Sequence, residues 1–120
     1  MARPVFKKAI LDIEGKIMQI QQEEVLERVF GIIENEGGVQ GYSQNICKGN
    51  DGGLLQVYQI KGMGLVSERY WGRSGHRMGT LKLVLFSESE DVSGLARRIK
   101  DCDQRLRLEL YQEAETPFGL

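Results

Sequence analysis

An α+β fold, with two helices on one face of an antiparallel sheet in the ferredoxin-like βαββαβ order, is what this sequence predicts. Three observations predict it. Two segments carry apolar residues at helical spacing, each is flanked by runs in which apolar and polar residues alternate, and a glycine-rich stretch separates the two units.

From Lys7 to Gln21 the apolar residues alternate through Ala9, Leu11 and Ile13, then resume at Ile17 and Ile20 with Met18 between. Glu14-Gly15 interrupts them, and glycine breaks a strand cheaply only at a bend or bulge. The segment is therefore one long strand or two short ones bent at that point. Gln22 to Glu36 predicts the clearest helix. Val25, Leu26, Val29, Ile32 and Ile33 form one stripe, while Glu23, Glu24, Glu27, Arg28 and Glu34 face away. Glu23 and Glu24 suit the positive end of the helix dipole, and Gly37-Gly38 supplies a left-handed exit. One apolar face implies that the helix lies on a sheet.

The stretch GGVQGYSQNICKGNDGG, Gly37 to Gly53, predicts a short strand and a glycine-rich bend. Asn50-Asp51-Gly52 is a hairpin signal, because type I′ turns need positive φ at two positions. Leu54 to Ile60 can form a strand, with Leu55 and Val57 on one face and Leu54, Tyr58 and Ile60 on the other. Lys61 to Gly79 shows no period. It holds five glycines, the basic residues Lys61, Arg69, Arg73 and Arg77 with His76, and the ring pair Tyr70-Trp71. A long aperiodic segment inside a compact domain is a functional loop or a disordered one.

Thr80 to Phe86 alternates again through Leu81, Leu83 and Leu85. Ser87-Glu88-Ser89-Glu90 reads as a capping box opening a second helix, with Val92, Leu95, Ala96, Ile99 and Cys102 as its buried stripe. Leu106, Leu108 and Leu110 mark a last strand. Every strand offers apolar side chains on both faces, so the sheet face away from the helices is expected to meet another subunit.

With 120 residues the chain is expected to form a single domain, 1–120, able to bury a core. Sixteen Lys plus Arg against seventeen Asp plus Glu leave no global field toward nucleic acid or an anionic membrane. No apolar run approaches the roughly 18 residues of a membrane span, and no signal-peptide core opens the chain, so the expected location is cytoplasmic. Cys47 and Cys102 lack any paired-cysteine or histidine companion, which argues against a metal site and for two small buried or half-buried thiols. His76 is the single histidine and reads as a solvated loop residue, and with no nucleophile and base in view the chain is not expected to be an enzyme. The acidic couples Glu88/Glu90/Asp91 and Asp101/Asp103 read as solvated helix caps. Glycine is the outlier, with eleven of fifteen between Gly37 and Gly79, and that middle third is where function is expected.

Gly41-Tyr42-Ser43, four residues, then Lys48-Gly49 resembles the segment that ends the second strand of PII-like signalling proteins. The preceding run EEVLERVFGIIENEGGVQGY is similar to that family's first helix and its exit, and the likeness spans roughly Lys16 to Glu113. The resemblance implies a homotrimer, a flexible T-loop at about residues 50–79, and a nucleotide cleft between neighbouring subunits. It further implies a regulatory protein that senses an adenine nucleotide, AMP, ADP or cyclic AMP, or a related anion, and signals through the loop to a transporter or enzyme. By motif position Ser43 would lie near the adenine, with Gly41 in the same ligand site, and Lys48, Gly49, Asn50, Gly52 and Gly53 beside the phosphates, where backbone N–H groups can cradle anionic oxygens. Arg69, Tyr70, Trp71, Arg73 and Arg77 would form the partner-binding part of the loop. Such residues could also stack on nucleic acid, but the slightly acidic chain favours a protein partner, where Trp, Tyr and Arg serve as anchors.

The chain departs from the family at three places. Asn50 and Asp51 replace a second glycine and a glutamine. Lys100-Asp101-Cys102-Asp103-Gln104-Arg105 puts two acids where a basic phosphate loop belongs, and Glu113-Ala114-Glu115-Thr116-Pro117-Phe118 replaces a basic C-terminal run. These differences point away from a triphosphate, toward a less charged nucleotide, another small anion, or no ligand. The other expectation is a non-sensing assembly module similar to the CutA-like trimers, in which the glycine-rich bend merely turns a hairpin.

Overall fold

The computed structural model describes residues 5–73, 75 and 77–115; His76 and the Thr116-Pro117-Phe118 run lie outside the described residues. Strand β1 (Phe6–Ile13) and the two-residue β2 (Ile17–Met18) flank Glu14-Gly15, so the first alternating segment is two strands bent there. Helix α1 (Gln19–Asn35) starts three residues before its expected beginning. Its early start has partners: the Gln19 N–H donates to the Arg77 carbonyl at 3.1 Å, and the Met18 N–H donates to Gln21 Oε1 at 2.9 Å. Glu23 and Glu24 consequently sit beyond the first turn, which carries no acid. The exit is as expected. Gly38 N–H donates to the Ile33 carbonyl at 2.8 Å and Gly37 N–H to that of Glu34 at 3.0 Å, with Gly37 at φ 92°, the two bonds of a Schellman motif.

Three consecutive strands follow: β3 (Val39–Lys48), β4 (Asp51–Ile60) and β5 (Met63–Trp71). The expected loop over 50–79 is therefore largely sheet, and β5 occupies the middle of the segment that has no sequence period. The β3–β4 turn is Gly49-Asn50, one residue earlier than the Asn50-Asp51-Gly52 signal; Gly49 has φ 61° and Lys48 pairs with Asp51. The β4–β5 turn is Lys61-Gly62, both at positive φ (47° and 78°) as a type I′ turn requires. A short β6 (Met78–Gly79) pairs with β2, and β7 (Leu81–Ser87), α2 (Ser93–Asp101) and β8 (Leu106–Ala114) complete the order. Helix α2 opens after the Ser87–Glu90 segment rather than within it. The Ser87 hydroxyl does accept the Ser89 and Glu90 N–H groups, at 3.2 and 2.9 Å, but these bonds close a turn, and Asp91 then takes the Ser93 N–H at 2.9 Å.

The main sheet has six antiparallel strands in the order β3-β4-β5-β7-β1-β8. Ala9, Leu11 and Ile13 of β1, Leu81, Leu83 and Leu85 of β7, and Leu65 of β5 meet Val25, Leu26, Val29 and Ile33 of α1 and Ala96 and Ile99 of α2 in one core. Each Val, Leu or Ile among them removed from water contributes about 1.5–3 kcal/mol, which fixes both helices on that face. On the opposite face Ile10, Val84, Val66 and Val57 stand in register across four strands.

Two polar assignments change with the structure. Asp103 is buried, not a solvated cap: its carboxylate accepts from Arg105 Nη2 at 2.7 Å, Arg105 Nε at 2.9 Å and Arg28 Nη1 at 3.1 Å. Arg105 holds the acid at about 2, and the burial that would raise it is outweighed. Cys102 is half-buried and its thiol is pushed up by desolvation, whereas Cys47, expected to be sheltered, is exposed on β3.

Candidate functional site

The bend at Gly15, between β1 and β2, and the hairpin turn at Gly49 bring their neighbouring lysines to one place. Lys16 follows Gly15, and Lys48 precedes Gly49. Both line a groove of about 520 Å³ with Glu68, Tyr70, Thr80 and Lys82, and both also line an adjoining hollow of about 350 Å³. The second hollow contains Gly49, Asp51 and Gly79 as well, so the two spaces share Lys16, Lys48, Tyr70 and Thr80.

A buried polar clamp sets the wall of this groove. Gln22 of α1 is fully buried and its Nε2 donates to the Tyr70 carbonyl at 2.9 Å and the Thr80 carbonyl at 3.4 Å. Its Oε1 accepts from Arg69 Nε at 3.0 Å. Arg69 also donates to the Gln19 carbonyl at 3.3 Å and to Glu23 at 3.4 Å, and its guanidinium lies 4.7 Å from the Trp71 ring. Burial lowers the Arg69 pKa, and the Glu23 carboxylate opposes that shift. An interior guanidinium with this many acceptors is a tether between α1 and β5. Close backbone packing finishes the wall: Tyr70 N–H donates to the Thr80 carbonyl at 3.0 Å, and a Cβ on Gly79 would lie 1.7 Å from the Tyr70 oxygen.

A row of alternating charge borders the groove. Arg107, Asp12, Lys82 and Glu68 stand in register on β8, β1, β7 and β5, an arrangement that stabilises neighbouring strands by roughly 0.2–1 kcal/mol per opposite pair. Arg107 binds the Asp12 carboxylate with two bonds, 3.1 and 3.0 Å. Desolvation raises the Tyr70 phenol, and its hydrogen bond with Glu68 adds to the effect. Lys48 Nζ lies 5.7 Å from the Tyr70 ring centre. Among the described residues neither Lys16 nor Lys48 forms an ion pair.

The expected ligand residues are only partly brought together. Lys48 and Gly49 line the site and Asn50 completes their turn. Gly41 and Ser43 stand farther along β3, at an exposed sheet edge; five residues of strand separate Ser43 from Lys48 by about 16 Å. Gly52 and Gly53 pair with Trp71 and Tyr70 and support the site from behind. In the expected partner loop, Arg73 and Arg77 are exposed and Tyr70 and Trp71 half-buried, but Arg69 points inward at 5% exposure. Lys16, Thr80 and Lys82, which line the groove, carry no local motif. Only the pairing of β2 with β6 and the sheet register place them there.

Among the described residues no group of three or more His, Cys, Asp or Glu could hold a metal ion, and no helix is long and apolar enough to cross a membrane. No protein-family model matches the chain, and no curated protein matches it. The functional reading therefore rests on the groove itself.

Proposed function

We propose that the chain is a PII-like regulatory protein, a homotrimer without catalytic activity. In this reading it senses a small ligand, an adenine nucleotide or related anion, and passes the signal to a transporter or enzyme partner. The observation that carries the reading is the meeting of Lys48 and Gly49, the end of the family-like motif, with Lys16, Tyr70 and Thr80 around an open groove. The strand arrangement supports it. Strands β8, β1, β7 and β5 lie in the order that a ferredoxin-like sheet gives to its fourth, first, third and second strands, with the β3–β4 hairpin interposed after α1. The signalling element in this reading is the short connection from β5 to β6 that carries Arg73 and Arg77.

A second reading draws on the regular β4–β5 hairpin, which stands where a mobile loop was expected. It makes the chain a non-sensing, CutA-like trimeric assembly module. Thermal denaturation of the purified oligomer with AMP, cyclic AMP, ADP, ATP and bicarbonate separates the two. A sensor gains about 2.7 kcal/mol of stability at a hundred times the dissociation constant, and Lys48→Ala cuts the gain by about half or more while light scattering shows the same oligomer. A panel that leaves the melting temperature unchanged overturns the sensor reading and leaves the assembly module.

A further inference from the structure

We infer that Lys16 and Lys48 form a two-lysine clamp for a single phosphate group, free or carried on a small phosphomonoester, with the Thr80 hydroxyl as a further donor. The inference rests on the sensor reading for its biological role, but its chemistry comes from the groove. The two lysines reach the site from separate places in the chain, one after the bend at Gly15 (φ 73°) and one at the end of β3 before the Gly49 turn (φ 61°). Elsewhere in the molecule Arg28, Lys61, Arg69, Arg98, Arg105 and Arg107 are each matched to a carboxylate. Lys16 and Lys48 are not, although they face one hollow.

The acids nearby do not cancel them. Asp12 is occupied by Arg107, Glu68 accepts from the Tyr70 hydroxyl and has Lys82 as its register partner on β7, and Asp51 is the acid that lines the smaller hollow with the two lysines. The Tyr70 ring holds the Lys48 ammonium by its face, an attraction that orients a cation without neutralising it. Two ammonium groups match the charge of about −1.5 to −2 that a phosphate monoester carries near neutral pH. A triphosphate would bring more negative charge than this end of the groove offsets, with Asp51 adding repulsion.

Calorimetric titration of the intact oligomer with inorganic phosphate, AMP and adenosine tests the clamp, using Lys16→Ala, Lys48→Ala and Arg97→Ala, the last an exposed residue on α2. Circular dichroism checks that each variant is folded. Phosphate and AMP are expected to bind and adenosine not to. Each lysine variant should weaken binding about tenfold or more, the loss expected of a charged hydrogen bond, and Arg97→Ala should bind as the parent does. Tighter binding of AMP than of phosphate identifies a carried monoester, and equal affinity identifies the free ion; both uphold the clamp. Adenosine binding as tightly as AMP, no binding of either phosphate compound, or affinity unchanged in Lys16→Ala overturns it. AMP binding that depends on Lys48 but not on Lys16 overturns the clamp and leaves the sensor reading standing. Binding that needs both lysines but does not alter protease cleavage at Arg73 or Arg77 upholds the clamp and overturns the sensor.

Discussion

Replacing Asp103 by Asn removes a buried charge that links helix α1 to the turn leading into β8. The carboxylate joins Arg28 of α1 to Arg105 at the start of β8, and Arg105 reaches on to Glu24 at 3.8 Å. Its folded pKa of about 2, against an ordinary 3.8, converts to about 2 kcal/mol of stability at neutral pH. Because the folded value is the lower one, this contribution is complete at pH values well above 3.8 and is lost as the pH falls through about 2. By pH 3 roughly half remains. For a chain of this length 1 kcal/mol moves the melting temperature by about 4 °C, so Asp103→Asn should melt about 8 °C below the parent at pH 7. Urea denaturation from pH 7 to pH 3 measures the difference at each point. A variant as stable as the parent at pH 7, or a gap that stays constant down to pH 3, would refute the argument that ionised Asp103 ties α1 to β8.

The two glycine substitutions expected to act in opposite directions are Gly31→Ala and Gly79→Ala. A Cβ on Gly31 meets nothing within 4 Å in the middle of α1, so alanine should stabilise by about 0.5–1 kcal/mol, and an unchanged or lower melting temperature contradicts this. At Gly79 the same atom would strike the Tyr70 carbonyl of the adjoining backbone. That variant should lose about 1–3 kcal/mol, and amide exchange at Tyr70 should accelerate as its bond to Thr80 opens; protection equal to the parent's would show that the backbone can move aside.

Where burial follows a simple period, the fold was legible. The α1 stripe, its double-glycine exit, the bend at Glu14-Gly15 and the leucine alternations of β7 and β8 all appear where the residues put them. Strand β5 was not legible, and the reason is specific. On its core-facing side Leu65 is followed by Ser67 and Arg69, both nearly fully buried, so a strand that lies inside the sheet carries no apolar alternation. Arg69 is tolerated there because Gln22 and Glu23 satisfy it, and Gln22 was equally silent, a polar residue sitting in a hydrophobic stripe. The turn before β5 was hidden for a related reason: Lys61 takes positive φ, a conformation usually signalled by Asn, Asp or Gly. At the candidate site the motif identified Lys48 and Gly49 because they are adjacent in sequence. Lys16 and Thr80 lie 32 positions away on either side of Lys48, and only strand pairing joins them.

The position of β1 has a consequence for how the chain reaches this fold. Strands β3, β4 and β5 are joined by two-residue turns and can pair as soon as they exist. Leu11, by contrast, pairs with Leu83 and with Leu108, 72 and 97 positions later. Closing such long loops is slow, and non-local pairings set the pace of folding. On the ribosome, the β3–β5 meander can form first and β7 can then fill one edge of β1, while the other edge stays open until the last strand emerges. Shortening the chain before Leu106 would leave one of those edges unpaired for good, which makes the C-terminal strand the step that commits the sheet.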